Sequence, residues 1–201
     1  MYFVSSGISD NLSNYFNSIY IVIDIQEDYT GTNAKPPFPY KDSERLVNTI
    51  NKLIVEASMK DVVIAFIRQE FDTPDTIEFS KKYCGGTAIK GNPGTEFDKR
   101  INIISNYCFS KPLPDAFSNA GFEAFLREQQ INELYLVGLD AEYCVYETAK
   151  GAIKRGYRVF IISDGIAMQA ENKWDDLLKK YEQDGITIIT SHEFQKRSLL
   201  Y

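Results

Sequence analysis

Three side chains in this chain stand where a nucleophile and its partners would be wanted: Cys144, Asp24 and Lys111. Cys144 opens a helix-patterned stretch (143–155) directly after the apolar run NELYLVGL (132–139). Orphan N–H groups and the helix dipole stabilise negative charge in a first turn, and a nearby lysine adds to the effect. The expectation is a thiolate-prone cysteine, its pKa lowered below the free-thiol value of roughly 8.5. Asp24 ends the run SIYIVIDI (18–25), and Lys111 follows INIISNYCF (101–109). An acid, a lysine and a cysteine arriving at one sheet edge suit nucleophilic catalysis by a thiol with an acid partner. Each also has a plain reading. A cysteine is commonly a buried small hydrophobe, an acid after a strand caps the next helix, and a lysine is usually solvated.

The elements that must position these groups alternate. Apolar, β-branched runs at 18–25, 61–69, 101–109, 132–139, 157–164 and 185–190 predict strands. Helical spacing at 43–58, with Ser43 as N-cap, and at 118–130, 143–155 and 172–183 predicts helices between them. The stretch 70–100 reads as a long irregular excursion. Such alternation predicts a three-layer α/β/α, Rossmann-like fold with a six-stranded parallel sheet, all strands pointing one way. Residues 1–17 read as an N-terminal extension and 18–201 as the domain.

Composition excludes several classes. The chain has 201 residues and a formal net charge of -6, which argues against nucleic acid or an anionic membrane as main partner. No apolar run approaches the roughly 20 residues of a membrane span. The first residues lack the basic and apolar regions of a signal peptide, and the three widely spaced cysteines form no disulfide framework, so a reduced, cytoplasmic setting is expected. Cys108 falls inside a strand and Cys84 in a loop. His192, the single histidine, lies after the last strand and reads as a surface or packing residue. No Gly-rich phosphate loop is present.

Four segments in order resemble the isochorismatase-like cysteine hydrolase superfamily: VIDIQEDY (22–29), GTEF (94–97), CFSKPLPDAF (108–117) and VGLDAEYCVYETAKGAIKRGYRVFIISDGIA (137–167). The resemblance implies a triad of Asp24, Lys111 and Cys144. It also implies a cis peptide between Leu139 and Asp140 that aims the N–H groups of Asp140 and Cys144 at one point, an oxyanion hole. Gln26 would orient Asp24. The implied activity is hydrolysis of a small carboxamide or related C–N bond. The alternatives are vinyl-ether hydrolysis with Asp24 as general acid, or a catalytically silent scaffold.

Nicotinamidases of this superfamily carry an Asp-x-His…His metal site after strand 2. Here that region reads RQEFDTPDTIEF (68–79), without histidine, so no metal and no other cofactor is expected. Tyr29, Phe71, Phe109, Phe117 and Tyr143 are pocket candidates that could equally be core. Arg68, Asp72 and Glu142 are candidates for reading a charged substituent. A homo-oligomer is expected, both from the resemblance and from the aromatics Tyr2, Phe3, Tyr15, Phe16, Phe71, Phe79, Tyr83 and Phe97 outside the main sheet.

Overall fold

A computed structural model describes residues 17–32, 34, 40 and 42–197. The chain runs β1 (Ser18–Ile23), α1 (Ser43–Met59), β2 (Val63–Gln69), α2 (Pro74–Tyr83), β3 (Cys108–Lys111), α3 (Ala120–Glu128), β4 (Glu133–Gly138), α4 (Cys144–Lys154), β5 (Arg158–Ile166), α5 (Trp174–Gln183), β6 (Thr187–Ile189) and α6 (Ser191–Lys196). All paired strands are parallel, in the order β3-β2-β1-β4-β5-β6.

The continuous apolar strands follow from helices covering both sheet faces. In β1, Ile19, Ile21 and Ile23 enter one core with Leu134 and Leu136 of β4, beneath α3, α4 and α5. The intervening Tyr20 and Val22 enter the other, with Tyr135 and Val137, beneath α1 and α6. The period of two thus feeds two cores from one run. Trimming one of these isoleucines to alanine should cost about 2–5 kcal/mol. Helix α1 buries Leu46, Val47, Ile50, Leu53, Ile54 and Ala57 along one stripe.

Four local expectations change. Residues 101–107 are irregular, and β3 begins only at Cys108. Side-chain bonds to α1 and β2 hold the backbone there out of a ladder. Asn51 bonds the Arg100 carbonyl and the Asn102 N–H, and the Ser105 hydroxyl bonds the Ile64 carbonyl. The excursion 70–100 contains α2, whose signal was readable: Thr73 is the N-cap of a reciprocal capping box and Pro74 takes the first helical position. A second capping box, Thr190 with Glu193, starts the unanticipated α6, and His192 is exposed on it. Finally, Ser43 is the first residue of α1, and its N-cap is Asp42, in a left-handed conformation without a side-chain cap.

Phe71 is buried, whereas Phe79 and Tyr83 are exposed on α2. Tyr2, Phe3, Tyr15 and Phe16 lie outside the described residues. Among the described residues, no helix is long and apolar enough to cross a membrane.

Candidate active site

The strand order reverses between β1 and β4, and open parallel sheets bind ligands beyond the strand ends at such a point. Gly138 shapes this crevice. It has φ 113°, and a Cβ there would lie 2.0 Å from the Ile23 carbonyl oxygen, so only glycine lets β4 leave the sheet against β1. Asp24 follows β1 and also has positive φ (56°).

The neighbouring segments are fixed by specific bonds. The Gln26 side chain donates to the carbonyls of Gln69 (3.0 Å) and Thr95 (2.8 Å) and accepts from the Gln69 N–H (2.8 Å). It therefore clamps β2 and the 93–95 turn, and its amide does not orient Asp24 as expected from the sequence. On the other side, Thr148 of α4 accepts from the Ala116 N–H at 3.0 Å. A Cβ on Gly151 would come within 2.5 Å of the Asp115 carboxylate. These two contacts seat α4 on the 115–117 turn, so the first residue of α4, Cys144, faces the end of β3.

There the structure brings Asp24, Lys111 and Cys144 together. The Lys111 ammonium lies 2.9 Å from Asp24 Oδ2 and donates to Cys144 Sγ at 3.2 Å. Lys111 is fully buried and Asp24 is 2% exposed. Asp24 Oδ1 is buried without a hydrogen-bond partner. Tyr29 and Tyr40, both buried, sit close enough to feel the charge of Cys144. Tyr29 contacts the Thr87 side chain, and the Tyr40 hydroxyl donates to Asp140 Oδ2 at 2.9 Å. Asp140 also accepts from the Glu142 N–H (2.7 Å) and the Gln169 N–H (3.2 Å), which pins the turn between β4 and α4. Among the described residues, neither the Asp140 nor the Cys144 N–H donates to a backbone carbonyl.

The charges decide which groups carry protons. Burial opposes the Lys111 charge, but attraction to Asp24 and Cys144 outweighs it and holds the ammonium above its ordinary value. Burial pushes the Cys144 thiol up to about 12; Lys111 pulls it down, and Asp24 pushes it further up. This overturns the expectation of a thiolate-prone cysteine. One cation already faces one carboxylate, so ionising the thiol would leave a net negative charge in a dry site. Tyr29 is raised by burial first and by Asp24 next, Tyr40 by burial and then Asp140; both stay protonated. Burial also raises Asp140, against the bonds from Glu142 and Tyr40.

A direct check is alkylation of Cys144 near pH 8.5, followed on its own peptide. The unfolded chain ionises its thiols in this range, whereas the folded site holds this one protonated. Unfolding should therefore speed labelling by about 10²- to 10³-fold. Equal rates in both states would contradict the protonated thiol.

The other sequence candidates are distributed differently. Phe71 is buried in the same apolar cluster as Tyr29 and Tyr40, against Phe79. Tyr143, 60% exposed, precedes Cys144 at the rim of α4. Phe109 packs on Phe122 and Phe125 in the opposite core. Phe117 packs there too, against Phe122 and Tyr157 with the Arg155 guanidinium 4.3 Å from its ring centroid, and so serves the seat of α4. The charged candidates are engaged in surface pairs: Arg68 with Ser110 and Glu96, Asp72 with Lys90, Glu142 with Lys173. Asp75 lies in the first turn of α2, and Asp72 points to a lysine, so the nicotinamidase-type metal position has no fitting donor set here. Among the described residues, no three His, Cys, Asp or Glu side chains gather as a metal site.

Two site residues were missed. Gln69 was visible only as a polar strand end; its amide meets Lys111 because register pairs the two residues. Tyr40 follows a proline-rich stretch, with no local signal of its return to Asp140.

Comparison with known proteins agrees with this architecture. Residues 18–193 match the Isochorismatase domain family. An uncharacterized isochorismatase family protein of Bacillus subtilis is 36% identical over 87 residues, covering 39% of this chain and 48% of that one. The chain thus spans about half the length of that relative. A nicotinamidase/pyrazinamidase of Mycobacterium tuberculosis is 22% identical over 159 residues, covering 72% of this chain and 83% of that one. The crystal structure of an isochorismatase family protein from Desulfovibrio vulgaris superposes with a TM-score of 0.79 at 19% identity, covering 89% of this chain and 96% of that one.

Proposed function

The chain belongs to the isochorismatase family, and from that premise we propose that it is a cysteine amidohydrolase of small carboxamides. The observation that carries this reading is the fully buried Lys111 ammonium, 2.9 Å from Asp24 and 3.2 Å from the Cys144 thiol. A buried cation bridging an acid and a thiol is costly unless all three work together. Relatives bearing the name nicotinamidase make amides the first substrates to test.

In the proposed reaction, Asp24 Oδ1 takes the thiol proton as Sγ attacks the carbonyl carbon. The carbonyl oxygen becomes an oxyanion, which accepts from the Asp140 and Cys144 N–H groups; each such donor is worth about 3–4 kcal/mol of barrier. The C–N bond then breaks, and Asp24 passes its proton to the leaving nitrogen. A water, deprotonated by Asp24, attacks the thioester; the acid leaves and the proton returns to sulfur. Throughout, Lys111 stays charged. It stabilises the thiolate character that forms in attack, which is where binding must strengthen if rate is to rise.

The test is ammonia release from a panel of small primary carboxamides, with and without EDTA. Turnover of at least one amide, unaffected by exhaustive chelation, is expected. The chelation arm follows from the absence of histidine between Phe71 and Phe97 and from the pairing of Asp72 with Lys90. Activity lost in EDTA and restored by zinc or manganese would refute the metal-free reading. No ammonia from any amide, with turnover of vinyl ethers instead, would move the assignment to ether hydrolysis.

A further inference from the structure

Lys111 reaches Asp24 from two strands away, and its side chain must pass the end of β2. Gln69 is waiting there. Register pairs Gln69 with Lys111 across β2 and β3. The ammonium donates to Gln69 Oε1 at 2.7 Å, and Gln69 Nε2 donates back to the Lys111 carbonyl at 3.0 Å. Gln69 is itself buried, and its backbone N–H and C=O are both held by the Gln26 side chain. An ammonium has three N–H donors and no acceptor. The site gives them one carboxylate, one thiol and one neutral amide oxygen.

We propose that Gln69 is a positioning residue for the reaction at Cys144, aiming the Lys111 ammonium between Asp24 and the thiol as its third and uncharged acceptor. Neutrality is the point. A carboxylate at this place would hold the ammonium equally well but would divide its charge with a second anion. An apolar side chain would leave one buried N–H without a partner, which penalises the charged lysine. An amide satisfies the donor and leaves the whole charge to Asp24 and the forming thiolate. Gln26 serves this arrangement one step back, since it fixes the backbone from which Gln69 points.

The proposal rests on reading Cys144 as the reacting group, but its test needs no substrate, so it is separable from amide hydrolysis. The probe is iodoacetamide, with the alkylation rate of Cys144 followed by peptide mass spectrometry between neutral and alkaline pH. The groups facing this cluster are Asp24 after β1, Tyr29 and Tyr40, which feel the charge of Cys144, and Asp115, whose charge interacts with Lys111; all are unchanged in the variants. Gln69→Glu should slow labelling by about tenfold at a given pH, because thiolate loses part of its counter-charge. Gln69→Met should slow it less, by about threefold, with the same sign.

A merely structural role predicts the reverse. Loosening β2 against β3 would admit water, ease ionisation and speed labelling. Equal or faster labelling in either folded variant overturns the proposal. If Gln69→Glu does not fold, Gln69→Met decides; if neither folds, Gln69 belongs to the fold and the proposal fails.

Discussion

Cys144→Ala should abolish amide turnover, by on the order of 10⁴-fold or more, while the protein still melts cooperatively. The size follows from what is lost: without sulfur there is no nucleophile and no thioester, and Asp24 has no thiol to deprotonate. The structural cost should be small. Cys144 is only partly buried against the core under α4, and its side chain is one atom longer than alanine. Lys111 loses one of three acceptors but keeps Asp24 and Gln69, at about 1 kcal/mol for the missing bond. Ammonia release by variant and wild type at equal folded concentration decides it. A variant turning over amides at the wild-type rate would remove the thiol from the mechanism. The ether reading would then gain, because that chemistry asks for Asp24 as an acid and not for sulfur.

What could be read in the sequence, and what could not, divides by the range of the interaction. Asp24 and Cys144 announce themselves locally. Each stands at the polar end of a strand buried on both faces, and a parallel sheet sends such ends to one edge. Lys111 ends β3 as its sequence position implies, but the strand starts at Cys108, seven residues after the start of the apolar run 101–109. There the apolar pattern of INIISNY is overridden by bonds to other elements, from the Asn102 N–H to the Asn51 side chain of α1 and from the Ser105 hydroxyl to the Ile64 carbonyl of β2. The capping boxes of α2 and α6 lie in the sequence as Thr73–Thr76, inside the excursion 70–100, and as Thr190–Glu193, just after the last expected strand.

Gln69 and Tyr40 were not legible, because their partners are fixed by register and by a long return of the chain. The protonation of Cys144 failed for a related reason. The helix N-terminus and Lys111 were counted from sequence, but the competing terms, burial and the Asp24 charge, exist only once the fold is closed.

Asp24→Asn should separate nucleophile ionisation from catalysis. Amide turnover should fall on the order of 10⁴-fold, since neither the thiol proton nor the leaving nitrogen has a group to exchange with. Alkylation of Cys144, however, should become faster. In the wild type the ammonium of Lys111 faces one carboxylate, and that carboxylate opposes a second anion beside it. With an amide at position 24 the thiolate becomes the anion to which the Lys111 ammonium donates directly. The thiol then moves down from about 12, and labelling at a fixed mildly alkaline pH should rise about tenfold or more.

Lysine moves in the matching direction. Without Asp24 its charge loses its main support, so its folded value drops toward or below that of the unfolded chain. An unfolded state that binds more protons than the folded one makes stability rise with pH. The variant should therefore gain melting temperature relative to wild type as pH climbs from neutral toward about 10, the ordinary lysine value. Peptide-resolved alkylation and melting curves across that interval read both effects without any substrate. Slower labelling in Asp24→Asn, or retained amide turnover, would mean that the carboxylate neither restrains the thiol nor moves its proton.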